Sequence, residues 1–346
     1  MERYDTSTMN SRLRNFLIIF IGLLLLSGWL FISLWKPGPL TDSVRIYIPR
    51  GSTYEAVLDT LTKHDCVSNV TLTKSIQRFI GYPKHVKSGS YIITPDMGII
   101  RLSMKLHRGN QDPVTLTING ARTIRQLSER IAAQLEFGAD TLIHLLSNDS
   151  VCADFGLTPH TVIALFQRNT YEVYWNITPQ HFLQRMHNEF DAFWTSERKR
   201  KAQAMNLTQA EVVTLASIVE EETNQDDEKE NIASVYLNRL RMGMPLQADP
   251  TVKFATGNFA LRRITSAVLS VESPYNTYRH KGLPPGPICL PTTASIDAVL
   301  ANKKTPYYFF CAKEDFSGHH NFATTLAEHN GNAARYHKAL NAKGIK

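Results

Sequence analysis

Residues 208–223 read Thr-Gln-Ala-Glu-Val-Val-Thr-Leu-Ala-Ser-Ile-Val-Glu-Glu-Glu-Thr. Thr208 and Glu211 have the spacing of a capping box, in which two side chains satisfy orphan donors at a helix start. Val212, Leu215, Ala216 and Val219 follow at i, i+3, i+4 and i+7, the period of an amphipathic helix. The helix closes on three carboxylates, Glu220, Glu221 and Glu222. Acidic groups at a helix C-terminus oppose the macrodipole, so simply covering a helix end leaves their placement unexplained. Glu220 lies i+4 from Ala216 and i+7 from Val213, bordering the apolar stripe, whereas Glu221 is rotated toward solvent. Desolvation at that border is expected to disfavour the charged form of Glu220. A carboxylic acid kept partly protonated is what protonation of a leaving glycosidic oxygen requires.

Working outward toward the C-terminus, a second helix starts after Asp226-Asp227. It runs through Ile232, Val235, Tyr236 and Leu240 to Gly243, with Pro245 ensuring the stop, so the two helices form a hairpin. The stretch beyond is poor in periodicity and rich in turn residues: Gln247-Ala-Asp249-Pro-Thr-Val, Ser273-Pro-Tyr275-Asn276-Thr277-Tyr278 and Gly282-Leu-Pro-Pro-Gly-Pro-Ile288. Consecutive prolines fix an extended backbone, and the last of these segments is expected to form a rigid groove wall.

Toward the N-terminus the decisive segment is residues 16–35, which carry no charge. At about 1.5 Å per residue this length matches a bilayer core of roughly 30 Å, and Trp29 and Trp35 are placed as interfacial anchors. The spacing predicts an uncleaved single-pass anchor. Arg3, Arg12 and Arg14 keep the short tail, residues 1–15, in the cytoplasm and send the rest outside. The whole chain has 346 residues, with 38 Lys+Arg against 31 Asp+Glu. Removing the first 35 residues leaves a balance of about +6, which suits an anionic surface or polymer such as lipid headgroups or cell wall. Nucleic acid is excluded as a partner, because no basic block interleaved with aromatics occurs. A hydrophobic share of 43% rules out a disordered chain, and four cysteines do not make a disulfide-stapled miniprotein.

After Pro37-Gly38-Pro39 the pattern predicts strand 45–49, a turn at Arg50-Gly51-Ser52, helices over 54–63 and 71–80, and strand 90–93. This β-α-α-β order is that of the LysM carbohydrate-binding module, and equally that of a small α+β spacer. Residues 36–112 read as one unit. A second strand at Leu116-Thr117-Ile118 leads through Gly120 and Thr123 into a helix carrying Leu127 and Ile131. Residues 113–205 otherwise show a short apolar strand near 162–166 and an aromatic cluster of Tyr171, Tyr174 and Trp175, read as core. The basic run Arg198-Lys199-Arg200-Lys201 reads as a solvated helix face.

Together these residues resemble the YceG-like, or MltG, endolytic murein transglycosylases of the bacterial inner membrane. The resemblance rests on Leu215–Thr223, on Ala233-Ser-Val-Tyr-Leu-Asn-Arg-Leu-Arg-Met-Gly-Met244 and on Leu246-Gln-Ala-Asp-Pro-Thr-Val252. It also rests on Tyr275-Asn-Thr-Tyr278, Gly282-Leu-Pro-Pro-Gly-Pro-Ile288, His320-Asn-Phe322 and Glu328-His-Asn330. It implies an α+β protein with a single N-terminal transmembrane helix (16–35), a LysM-like βααβ subdomain (36–112) and a mixed α+β catalytic domain (113–346, core motifs 208–330) bearing a helix-borne Glu. The substrate implied is the peptidoglycan glycan strand, cleaved between MurNAc and GlcNAc to leave 1,6-anhydro-MurNAc ends. Neither cofactor nor metal is needed, and peptidoglycan synthases are the implied partners.

Carried onto this sequence, the catalytic Glu falls on Glu220, which serves in turn as acid and base. Glu222, Gln247, Asp249, Tyr275, Asn276, Thr277 and His320 are the implied substrate contacts. Two segments depart from the family pattern. Phe166-Gln-Arg-Asn-Thr-Tyr171 lacks the usual turn proline, and Cys289-Leu-Pro-Thr292 replaces Asn-Pro-Gly after Ile288. Ser196-Glu-Arg-Lys199 matches the Ser-x-x-Lys of penicillin-binding acyl enzymes but lacks its companion motifs. The histidines lack metal-ligand spacing.

Overall fold

The computed structural model describes residues 6–35, 38–261 and 265–344. Residues 1–5, with Arg3, and the expected membrane exit at Lys36-Pro37 lie outside the described residues, as do the side chains of 6–10, 12, 26, 30, 31 and 33–35. The N-terminal segment is helix α1 (Thr6–Trp35), continuous over 30 residues. Among the described residues no helix is long and apolar enough to cross a membrane.

The chain forms two compact units, residues 1–114 with 172–176, and residues 115–171 with 177–346. In the first, β1 (Val44–Ile48) leads to α2 (Tyr54–Lys63), α3 (Val70–Phe79), β2 (Gly89–Ile93) and α4 (Ile99–Arg108). β1 and β2 are antiparallel, with Ile46 opposite Tyr91. Side chains alternate across a strand, so Ile46 and Ile48 are buried while Tyr47 stays 45% exposed. The side chains of Thr53 and Asn69 cap α2 and α3. The sheet, α2, α4 and Tyr82 enclose one apolar core through Val57, Leu61, Leu102 and Leu106. Of the aromatic cluster expected to be core, Tyr171 is buried, Tyr174 is 53% exposed, and Trp175 rests on Tyr47 at 5.0 Å between ring centroids.

The second unit takes in β3 (Val114–Ile118) from Thr115 on, α5 (Ile124–Ala132), α6 (Ala139–Leu146), α7 (Asp149–Ala153), β4 (Asn169–Val173) as far as Tyr171, α8 (Pro179–Phe193) and α9 (Ser196–Gln203). It continues through α10 (Gln209–Glu222), α11 (Lys229–Arg241), α12 (Asp249–Thr256), α13 (Ser266–Leu269), α14 (Thr293–Leu300), the antiparallel pair β5 (Phe309–Ala312) and β6 (His320–Ala323), and α15 (Leu326–Ala342). α10 opens with the expected capping box, Thr208 and Glu211 each accepting from the other's backbone N–H. Thr208→Ala removes one arm, and the midpoint of thermal or urea unfolding should fall by the equivalent of about 1 kcal/mol.

α10 is more central than an amphipathic stripe implies. All eight residues from Val212 to Val219 are buried, because α11 and α14 both pack on the helix. The strand expected near 162–166 is a 3₁₀ turn, Val162–Leu165, with all four side chains buried. A short apolar run carries no periodicity that separates the two conformations. α12 and α13 also lie where no regular structure was expected.

Candidate active site

The last turn of α10 sends its three carboxylates to three different destinations. Glu220, 13% exposed at its side chain, meets Arg168 Nη1 at 3.0 Å and Lys229 Nζ at 3.5 Å. Its Oε2 also accepts from the Thr292 hydroxyl at 2.6 Å, the Thr292 backbone N–H at 3.3 Å and the Ser295 hydroxyl at 2.5 Å. Thr292 is the N-cap of α14, so the carboxylate sits against a helix N-terminus, where negative charge is favoured. Burial alone would raise the Glu220 pKa, but the Ser295 and Thr292 hydrogen bonds and the charges of Arg168 and Lys229 outweigh it and hold the group below the usual carboxylate range. The expectation that its surroundings favour the protonated form is therefore corrected. Desolvation is present, yet the partners brought by other segments decide the sign.

Glu221 is not free in solvent either. Arg122 grips it with Nε at 3.2 Å and Nη2 at 2.8 Å. With Glu220 and Glu221 both neutralised across the fold, the acidic helix end is explained without a cost to the macrodipole.

Glu222 faces a cleft of about 460 Å³, whose lining includes Tyr236, Arg239, Gln247, Asp249, Tyr278 and His320. The Tyr236 phenol, 1% exposed as a residue, donates to Glu222 Oε1. Desolvation, opposed by that hydrogen bond and reinforced by the charges of Asp249 and Glu221, raises the Glu222 pKa to about 7. A carboxyl group in this state carries a proton it can give up near neutrality. Asp249 accepts from the Tyr278 phenol at 2.6 Å. Arg239 donates to the Tyr308 carbonyl at 2.7 Å, the Leu246 carbonyl at 2.9 Å and Gln247 Oε1 at 3.2 Å.

Gln247 has φ +52°, a left-handed conformation that costs a non-glycine residue on the order of 1 kcal/mol. What maintains it is the Tyr275–Tyr278 segment: Gln247 N–H donates to the Thr277 carbonyl at 3.1 Å, and Ala248 N–H to the Thr277 hydroxyl at 3.0 Å. Asn276, fully buried, donates to the Leu269 and Val271 carbonyls, both at 2.9 Å.

Of the residues expected at the site, the structure brings Glu222, Gln247, Asp249 and His320 to one cleft, and Glu220 points elsewhere. Asn276 and Thr277 are buried and spend their polar atoms on backbone and on Thr251, so they shape the cleft from behind. Tyr275 packs on Phe254 at 4.7 Å and its phenol lies 3.5 Å from His160 Nδ1, away from the cleft lining. The proline-rich 282–288 segment does not line the cleft. Pro284 and Pro285 line a separate depression, Ile288 N–H donates to Ser217 at 3.0 Å, and Gly286 lies so close to the His160 carbonyl that a Cβ there would stand 1.9 Å from it. Tyr236, Arg239 and Tyr278 were missed as site residues. Tyr236 falls on an apolar stripe and reads as core, although a buried phenol needs a partner, and that requirement is the signal.

The sequence model of the YceG-like family matches residues 46–335. A Bacillus subtilis (strain 168) protein named endolytic murein transglycosylase is 29% identical over 322 residues, covering 87% of this chain and 87% of its own length. A Streptococcus pneumoniae (strain ATCC BAA-255 / R6) protein of the same name is 26% identical and covers 85% of this chain, while the chain spans 58% of that relative. The crystal structure of a yceG-like protein from Listeria monocytogenes superposes with a TM-score of 0.56 at 26% identity, over 84% of this chain and 99% of that one.

Proposed function

The chain belongs to the YceG-like family, and on that premise we propose that it is an endolytic murein transglycosylase, a lyase that cuts the β-1,4 bond between MurNAc and GlcNAc in nascent glycan strands. The observation that carries this reading is the polar cleft in which Glu222 accepts from the buried Tyr236 phenol beside Asp249, an environment whose burial pushes the Glu222 carboxyl up to about 7. Glu222, not Glu220, is the general acid. It gives its proton to the oxygen leaving MurNAc C1, and the C1–O4 bond breaks. The MurNAc C6 hydroxyl then forms the new bond to C1, closing the 1,6-anhydro ring. Positive charge builds on the sugar as the old bond breaks, and the Glu222 carboxylate left behind and Asp249 both stabilise it. Gln247 and His320 contact the sugars.

On the sequence alone we place the membrane anchor at residues 16–35, with the tail in the cytoplasm and the cleft outside. The uncharged composition of that segment and the flanking Arg12 and Arg14 support this. The βααβ unit holds the wall polymer, a reading supported by its element order, and peptidoglycan synthases are its partners at the membrane.

Digestion of uncrosslinked glycan by the full chain, followed by mass spectrometry, tests the reaction type. Anhydro-MurNAc ends are expected; reducing MurNAc ends would make the enzyme a hydrolase, and intact strands would leave only a binding protein. The acid limb of the mechanism is tested separately. The reactive form is protonated Glu222, so kcat/KM should fall as pH rises through about 7. Asp249→Asn removes a charge that raises the Glu222 pKa and should move this limb to lower pH, whereas Tyr236→Phe removes a hydrogen bond that lowers it and should move the limb higher.

A further inference from the structure

Glu228, 6% exposed, ends the short 3₁₀ turn Asp226–Glu228 ahead of α11. It devotes both carboxylate oxygens to one residue: Oε1 accepts the His320 backbone N–H at 2.9 Å and Oε2 meets His320 Nδ1 at 3.1 Å. Among the described residues, the only ion-pair partner of this buried carboxylate is that imidazole. A carboxylate can only accept, so the proton of the neutral ring resides on Nδ1 and the lone pair on Nε2. The ring is held in place by Phe310, edge to face at 5.3 Å, and lines the same cleft as Glu222. Phe310 in turn packs edge to face on Tyr236, the donor to Glu222, at 5.8 Å.

We propose that His320, oriented by Glu228, is the base that takes the proton of the attacking MurNAc C6 hydroxyl. Glu222 loses its proton to the departing O4 as the C1–O4 bond breaks. The C6 oxygen forms the bond to C1, and its proton passes to His320 Nε2, giving an imidazolium opposite the Glu228 carboxylate. Transfer of that proton back to Glu222 restores both groups, so the cycle consumes none. Two features favour a separate base. Tyr236 already occupies one Glu222 oxygen, and Glu228 supplies the buried negative charge that an imidazolium needs and a neutral ring does not. The arrangement is that of a carboxylate fixing the tautomer and orientation of a general base. Glu228 is a positioning residue; His320 is the catalytic one.

The inference rests on the transglycosylase reading, and the experiment separates the two. Full-length wild type is first scored for anhydro ends on uncrosslinked glycan; if these are absent, it is the reaction type that fails. With anhydro ends formed, His320→Ala should lose kcat by roughly 10²-fold or more with little change in KM. Added imidazole should restore turnover, which also shows that the variant is folded. Glu228→Gln should lower kcat with His320 still present, through loss of the fixed tautomer. Undiminished kcat in His320→Ala, a loss expressed in KM alone, or a loss that imidazole leaves unrescued would each overturn the assignment and leave His320 a binding group.

Discussion

Glu222→Gln should cut turnover of glycan strands by about 10²–10⁴-fold, the usual worth of a positioned proton donor, while far-ultraviolet circular dichroism stays that of the wild type. The amide keeps the shape of the side chain and can still accept from Tyr236, but it has no proton to give to the leaving oxygen. Glu220→Gln is the informative partner. That carboxylate is bound by Arg168, Lys229, Thr292 and Ser295 and is held below the usual carboxylate range, so it is the wrong group to donate a proton near neutrality. Its amide variant should still cleave, with the descending limb of kcat/KM remaining near pH 7. The reverse pattern, an active Glu222→Gln and a dead but folded Glu220→Gln, would return the acid role to Glu220.

The second large effect is on stability. Glu220→Ala leaves the Arg168 guanidinium, 28% exposed, without its anion, and the Lys229 ammonium, 6% exposed, with the exposed Asp226 at 2.7 Å as its remaining partner. Removing one partner of a buried ion pair costs about 3 kcal/mol or more. For a unit of this size that corresponds to a fall of roughly 6–12 °C in Tm, read by scanning calorimetry. The pH dependence has a definite sign. Because the folded pKa of Glu220 lies below its ordinary value of 4.5, its contribution is fully present above pH 4.5 and is lost as pH falls through the folded value. Wild type should therefore lose stability faster than Glu220→Ala on acidification below pH 4.5. Parallel curves would mean that the four-partner site contributes nothing.

Much of this architecture is written locally. The capping box at Thr208 and Glu211, the βααβ order of the first unit and the stop at Gly243-Met-Pro245 depend on neighbours in sequence, and each is legible for that reason. The candidate acid is not of this kind. Helical geometry places Glu220 at the border of an apolar stripe, but α10 is buried on all sides, so bordering the stripe does not distinguish Glu220 from Glu222. The difference comes from distant segments. Arg168 and Thr292, both in segments distant in sequence from α10, convert Glu220 into an anchored anion. Arg168 Nε also donates to the Leu290 carbonyl at 2.7 Å, tying those segments to each other. Both segments are remote from α10 in sequence, so the engagement of Glu220 is readable only from proximity in space. The Tyr275–Tyr278 motif is a similar case. Its polar composition suggests sugar contacts, whereas Thr277 holds Gln247 in its left-handed turn, Asn276 ties the segment to the Leu269 and Val271 carbonyls, and Tyr278 donates to Asp249.

The most direct measurement is a site-resolved titration of the two carboxyl groups, by ¹³C NMR of protein labelled at the glutamate side-chain carboxyl, with Glu220→Gln and Glu222→Gln used to assign the signals. The Glu222 resonance should titrate at about 7 and the Glu220 resonance below 4.5. A Glu222 carboxyl that is fully ionised by pH 5, beside a Glu220 that titrates near neutrality, would contradict it.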